Sequence, residues 1–256
     1  MTVPINRFKQ GLRQGEMQYG LWSGLSSHIT VELLANAGFD WLLLDTEHSP
    51  NELPMVHCQL QAIERGVAHP IVRPPWNDTV TIKRYLDIGV QTLLIPFVEN
   101  AEEAAQAVAA MRYPPRGVRG YAAAARASDF GRIKDYPQQC EEQLCLLVQA
   151  ESPTALANIE SIAAVEGVDG IFIGPGDLAA TMGYIGQPGH PVVAAAIDDA
   201  IRRIRACGLA AGILTGDETL ARRWIAAGCN FIAVGSDGAI LARGAEQLAA
   251  KFKKAA

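Results

Sequence analysis

The sequence predicts an α/β protein, a single (β/α)8 TIM barrel covering residues 1–256. Three observations predict it. The length of 256 residues is ordinary for that fold. Short apolar runs alternate with longer amphipathic segments eight times, the pattern of parallel strands joined by helical crossovers. The links are short, and Gly167, Gly208 and Gly228 stand where helices need a left-handed final residue. No Gly-x-Gly-x-x-Gly follows the first strand and no Walker lysine is present, which argues against a doubly wound nucleotide-binding sheet.

After a polar N-terminal segment, Gln18–Gly24 reads as the first strand and Ser26–Gly38 as a helix capped by Ser26 or Ser27. Trp41–Leu44 is an apolar run suited to a strand buried on both faces. It stops at Asp45, Glu47 and His48, and a helix follows from Asn51 to Gly66. His69–Arg73 is the third strand, ended by Pro74 and Pro75; Asp78 caps the next helix, which runs through Ile88 to Gly89. Gln91–Val98 is the fourth strand, and Asn100 caps an alanine-rich helix reaching Arg112. Tyr113–Ser128 breaks the rhythm with prolines, glycines and three arginines, the mark of a functional or interface loop. A short helix is expected within Asp129–Gln143. Leu144–Glu151, Val168–Gly174, Ala210–Leu214 and Phe231–Gly235 read as strands five to eight, and Ala239–Lys253 as a last amphipathic helix.

A hydrophobic fraction of 49% supports a large core. The net charge of -5, with both signs interspersed, gives no reason to expect nucleic acid or an anionic membrane as partner. No apolar run is long enough to span a bilayer, and no signal-peptide core opens the chain. The five cysteines (58, 140, 145, 207 and 229) are scattered, without a Cys-x-x-Cys pair, which favours reduced thiols and a cytoplasmic location. Cys145 and Cys229 fall at strand starts and read as small core residues.

Ionisable groups at the carboxyl ends of buried strands are costly unless they have partners or a task, and that end of a barrel carries its chemistry. The groups there are Asp45, Glu47 and His48 from strand two, Arg73 from strand three, Gln149 and Glu151 from strand five, and Asp177 after strand six. Glu151 and Asp177 form an oxygen pair suited to a hard divalent ion such as Mg2+ or Mn2+, with water completing the shell. The plainer alternative makes each of them a helix cap, at Ser152-Pro153 and at Leu178. The six lysines (9, 83, 134, 251, 253 and 254) all lie away from strand ends at positions that read as solvated, so a Schiff-base nucleophile is rejected. His28, His57 and His190 read as surface or packing residues, and Trp22 and Trp76 as pocket walls or rim. Arg119 and Arg126 are either solvated loop charges or anchors for a second substrate carboxylate.

Asp-x-Glu-His-x-Pro-Asn, Val-Arg-Pro, Tyr-Pro-Pro-x-Gly-x-Arg-Gly, Val-Gln-x-Glu and Gly-Pro-x-Asp-Leu, in this order, resemble the HpcH/HpaI aldolases, most closely their 4-hydroxy-2-oxoheptanedioate aldolase branch. The resemblance runs from Gly20-Leu-Trp22 to the last helix. It implies a class II pyruvate aldolase that reversibly cleaves 4-hydroxy-2-oxo acids to pyruvate and an aldehyde, using Mg2+ or Mn2+, with Co2+ a further candidate. It implies Glu151 and Asp177 as metal ligands, Arg73 on the keto oxygen, and His48 with Asp45 as an acid-base pair. Gln149, Trp22 and Leu214 would neighbour the substrate, and the backbone at Pro175-Gly176-Asp177 would receive the pyruvate carboxylate. It also implies a homohexamer, a dimer of trimers with the last helix swapped between subunits, in which Asp87 of one chain reaches His48 of another. Thr46 departs from a common glycine, Gly176 from a common alanine, and Leu214-Thr215-Gly216-Asp217 from the familiar loop. Two other readings stand beside it. One is a metal-enolate enzyme acting on a thioester or phosphoenolpyruvate, which Asp217 and Asp237 would disfavour; the other is a non-catalytic barrel that binds oxo acids.

Overall fold

Eight short apolar runs become eight parallel strands in the computed structural model, which describes residues 1–253. The strands are β1 (Gln18–Ser23), β2 (Trp41–Asp45), β3 (His69–Arg73), β4 (Thr92–Ile95), β5 (Cys145–Ala150), β6 (Gly170–Ile173), β7 (Ala210–Leu214) and β8 (Phe231–Ser236). Each pairs with the next and β8 closes on β1, giving a closed barrel. Two apolar layers result from the strand period of two. Leu42, Leu44, Val72, Ile95 and Val148 face the helices, while Trp41, Leu43, Ile71, Leu147, Phe172 and Phe231 fill the barrel. Glycine makes room for the large interior rings: a Cβ on Gly20 would lie 2.1 Å from the Trp41 ring, and one on Gly212 2.1 Å from Phe231.

The N-terminal segment was expected to be merely polar, but it contains a helix, α1 (Arg7–Gln14), capped by Asn6. Its Phe8 closes the barrel floor, 6.1 Å from Trp41 and 5.8 Å from Phe231 between ring centroids. Lys9 is buried there rather than solvated; its ammonium donates to Leu144 O and pairs with Asp169 at 3.2 Å. It lies at the amino end of the strands, so it offers no Schiff-base nucleophile at the opposite end.

The crossover helices include α2 (His28–Leu34), α3 (Leu53–Ile63), α4 (Thr79–Asp87) and α5 (Ala101–Met111), with Ser27, Asp78 and Asn100 as side-chain caps where expected. β4 is shorter than the apolar run, because Pro96 lacks an amide and Phe97 turns into the left-handed region at φ 50°. The loop expected over 113–128 ends in a short 3-10 turn at Arg126–Ser128, and α6 is only Tyr136–Gln143. After β5 the chain forms two short helices, α7 (Pro153–Ala157) and α8 (Ile159–Ala163), broken at Asn158. Next come α9 (Pro175–Thr181), α10 (Pro191–Ala206), α11 (Glu218–Ala226) and α12 (Asp237–Phe252). From Ala239 to Lys253 every residue is exposed, Ile240, Leu241, Leu248 and Phe252 among them. The five cysteines are unpaired, and Cys145 and Cys229 are buried as expected.

Candidate active site at the barrel mouth

Strand register builds the centre of the site. Asp45 and Arg73 are direct Cα partners across β2 and β3, so both side chains stand at the same height on neighbouring strand ends. Arg73 grips Asp45 with two bonds, Nε at 2.9 Å and Nη2 at 2.7 Å. The indole of Trp22 donates to Asp45 at 3.1 Å and lies under the guanidinium, 5.0 Å from ring centroid to Cζ. Burial alone would raise the Asp45 pKa; the bonded and charged Arg73, helped by the Glu47 amide and Trp22, brings it below the ordinary value. Trp22, expected beside the substrate, thus supports the Asp45–Arg73 pair.

Arg73 also gathers the neighbouring strands. Its Nη1 is 3.5 Å from Gln149 Oε1, and Gln149 donates from Nε2 to Glu151 at 2.9 Å. Nη1 is also 2.8 Å from Glu47 Oε2. That contact is an ion pair too bent to count as a hydrogen bond, and the buried oxygen has no other donor. Burial raises the Glu47 pKa, against Arg73 and His48, with Asp45 and Asp177 adding repulsion. Glu151 accepts the Phe97 amide at 2.8 Å. Its carboxyl is pushed up to about 7 by burial, which outweighs the Phe97 bond, with Glu47 and Asp177 adding to the rise and Arg73 opposing it.

Glu47, Glu151 and Asp177 therefore share one neighbourhood, with an undonated buried oxygen and two raised pKa values among them. Such a donor set fits a hard divalent cation better than it fits water. Neither Glu151 nor Asp177 is a side-chain cap: Ser152 caps α7, and α9 begins at Gly174 without a side-chain bond. Among the described residues no three carboxylate, histidine or cysteine side chains form a closed cage. A Glu151–Asp177 pair would leave positions for water and substrate. Gly174 is required here, since a Cβ would stand 2.2 Å from Glu151 Oε2. Gly176 has no atom within 4 Å of its Cβ position, so its departure from alanine opens space and disturbs nothing. Thr46 is also explained: its hydroxyl donates to Arg73 O at 2.6 Å and accepts from Tyr85 at 3.0 Å, bracing the end of β3.

The Asp45–His48 pairing that the resemblance implies is not made by direct side-chain contact. Asp45 is taken by Arg73, while the imidazole is 62% exposed and its nearest acid is Glu47, 3.9 Å away. Only the His48 amide approaches Asp45, at 3.5 Å. Leu214 ends β7 half-buried against the barrel interior. Asp87 is not at its own mouth: it ends α4 toward the amino end of β4 and accepts from the fully buried Arg119 at 2.9 Å. Arg126 bonds Glu64 and Ile88 O, so neither loop arginine serves its own mouth. His190 caps α10 and stacks on Tyr184 at 3.9 Å. Grooves of about 460 and 690 Å³ lie at the other end of the barrel, where Lys9, Arg112 and Arg126 are paired with acids of the same chain. Sequence reasoning names Glu47 at the strand end without its Arg73 partner, and misses the Phe97 amide, which no local signal reveals.

A family model described as HpcH/HpaI aldolase/citrate lyase matches residues 18–244. A "Pyruvate aldolase" of Rhizobium etli is 58% identical over 252 residues, covering 98% of this chain and 99% of that protein. A "4-hydroxy-2-oxo-heptane-1,7-dioate aldolase" of Salmonella dublin is 56% identical over 248 residues, 96% of this chain and 94% of that protein. The solved structure of a HpcH/HpaI aldolase/citrate lyase family protein from Burkholderia cenocepacia superimposes with TM-score 0.94 at 40% identity, covering 97% of this chain and 100% of that one.

Proposed function

From the chain's membership of the HpcH/HpaI aldolase/citrate lyase family and the geometry of its mouth, we propose that it is a divalent-metal-dependent class II pyruvate aldolase. It is a carbon-carbon lyase that reversibly cleaves 4-hydroxy-2-oxo acids, of which 4-hydroxy-2-oxoheptanedioate is one, to pyruvate and an aldehyde. The observation that carries the reading is the network in which Arg73 joins Asp45 and Glu47 and reaches Glu151 through Gln149.

Glu151 and Asp177 would hold Mg2+ or Mn2+, or alternatively Co2+, which when bound polarises the keto group as a Lewis acid. Asp45 holds Arg73 in one orientation, and the guanidinium's permanent charge stabilises negative charge growing on the keto oxygen. The uncapped first turn of α9 offers the Gly176 and Asp177 amides to the pyruvate carboxylate, with Gln149 alongside. Leu214 and Trp22 bound the pocket. His48, exposed at the mouth, takes the proton from the C4 hydroxyl; the C3–C4 bond breaks, its electron pair passes into the enolate, and the aldehyde leaves. Returning a proton to the methyl carbon gives pyruvate.

The phosphoenolpyruvate alternative loses support at Asp237. Its carboxylate accepts from Ser23 Oγ and from the amides of Gly24, Leu25 and Gly238, filling with the chain's own anion the place after β8 where barrels often bind phosphate. The experiment is release of pyruvate from a racemic 4-hydroxy-2-oxo acid, with Glu151→Ala and Asp177→Ala as controls. Undiminished turnover in chelator-treated protein would overturn the reading.

Residues 1–256 are proposed as one cytoplasmic domain without nucleic-acid or membrane partners; no described helix is long and apolar enough to cross a membrane. Its assembly is proposed as a homohexamer, a dimer of trimers with α12 swapped. The exposed apolar face of α12 and the exposed Ile29 and Leu33 of α2 support the exchange. Asp87, turned away from its own mouth, would then orient His48 of another subunit. Recovery of activity on mixing Asp87→Ala with His48→Ala chains tests this.

A further inference from the structure

We propose that Trp76 and Phe97 form an aromatic shelf at the barrel mouth that receives the substituent of the aldehyde and favours an aryl ring over an alkyl chain. The inference rests on the aldolase reading above, and names the half of the substrate that Arg73 and Glu151 do not hold.

The starting observation is backbone strain. Phe97 sits at φ 50°, in the left-handed region that bulky side chains rarely occupy. This turn aims its amide at Glu151 Oε1, 2.8 Å away. Glycine would adopt the same backbone freely and supply the same N–H. What phenylalanine adds is the ring, and the ring is stacked on Trp76, with centroids 6.0 Å apart and planes inclined by 30°. The pair is not core packing, because Trp76 keeps 56% of its surface exposed. Its loop is nevertheless held in place. Asn77 Nδ2 donates to Glu103 O at 3.0 Å, and the Asp78 amide donates to Trp76 O at 2.9 Å.

The shelf is joined to the reaction centre at both ends: Trp76 follows Arg73 by three residues, and Phe97 touches Glu151 through its amide. An aryl substituent gains offset stacking on these rings that an alkyl chain lacks.

The test compares kcat/KM for pyruvate addition to benzaldehyde and to propanal in the Mg2+-loaded protein, each normalised to pyruvate methyl-proton exchange in the same sample. Stacking of this kind is worth roughly tenfold in an equilibrium. Trp76→Ala should therefore lower the benzaldehyde-to-propanal ratio by about tenfold, and Trp76→Phe should restore most of it. An unchanged ratio in Trp76→Ala, or an equal loss for both aldehydes, overturns the shelf while leaving the aldolase intact. A change in sedimentation at unchanged ratio also overturns it, by making Trp76 a subunit contact. Wild-type protein that exchanges no pyruvate protons overturns the aldolase reading, and the shelf with it.

Discussion

Replacing Glu151 with glutamine should stabilise the metal-free protein above neutral pH and destabilise it in acid. The carboxyl is raised from 4.5 to about 7, burial being the main cause and Glu47 and Asp177 the next contributors. That rise corresponds to roughly 3 kcal/mol between the two protonation states. The sign follows from the folded value lying above the unfolded one. The group's contribution is complete below the unfolded value and is lost as pH climbs through the folded value. Glutamine removes the charge but presents a donor as well as an acceptor. The Phe97 amide and Gln149 Nε2 both donate to this side chain, so one of them is mispaired, at a cost of about 1 kcal/mol. The net gain at about pH 8.5 is then about 2 kcal/mol, or roughly 4–8 °C in Tm for a chain of this size. Near pH 3.5, below the unfolded value, the carboxyl is protonated in both states and the wild type melts higher. Chelator-treated samples at equal concentration, melted at both pH values, make the comparison. Excess Mg2+ at pH 8.5 should reverse the order, since only the wild type gains binding energy, about 2.7 kcal/mol at a hundredfold excess over Kd. A glutamine variant that melts at or below the wild type at pH 8.5 without metal would refute the electrostatic account of this site.

His48→Ala should slow carbon-carbon cleavage by about 10²–10⁴-fold while affecting pyruvate binding less, whereas Arg73→Ala should damage cleavage and pyruvate methyl-proton exchange together; steady-state kinetics and NMR exchange rates separate the two. Gly174→Ala places a Cβ 2.2 Å from Glu151 Oε2 and 2.8 Å from its Cβ, and should weaken Mn2+ binding by about 10–100-fold in calorimetry. Asp237→Ala leaves the Ser23 hydroxyl and the Gly24, Leu25 and Gly238 amides without their acceptor. It should cost about 2–4 kcal/mol, and added formate or phosphate should restore part of the lost Tm.

The barrel was legible because its signals are local. β3 and β7 match their expected bounds end to end, and Pro74 with Pro75 stops β3. Where tertiary structure overrides local pattern, reading failed. α1 carries only Phe8 and Leu12 as large apolar residues among basic and polar ones, a spacing of four that marks a helix, yet its burial comes from a floor the sequence does not announce. The apolar run after Gln91 continues past Ile95, but Pro96 ends the ladder and Phe97 turns to serve Glu151. The candidate site residues are read from their place at strand ends and from the resemblance; the contacts that hold them are not. The resemblance implies Asp45 beside His48, whereas the β2–β3 register sets Arg73 opposite it. A guanidinium with two bonds leaves the imidazole nothing to compete for.

The same competition explains why the mouth calls for a cation. Asp45, Glu47, Glu151 and Asp177 supply four negative charges when ionised, and Arg73 returns one positive charge, leaving three in excess. Arg73 satisfies Asp45 fully and Glu47 only through a bent contact, so the imbalance falls on the Glu47, Glu151 and Asp177 side. Two outlets exist for it. A proton on Glu151 relieves one charge; burial chiefly, with Glu47 and Asp177 adding to it, pushes that carboxyl up to about 7. A divalent cation relieves two and makes that proton unnecessary, so proton and cation compete for one oxygen-lined place. Pyruvate brings a further carboxylate to the same mouth. Its entry is repelled by the excess when the acids are bare, and attracted once a dication has reduced it. On the proposed aldolase reading, the surplus of acids around Arg73 predicts an order of binding, cation before pyruvate, without any moving part; pyruvate binding measured by calorimetry should weaken sharply when the divalent ion is removed.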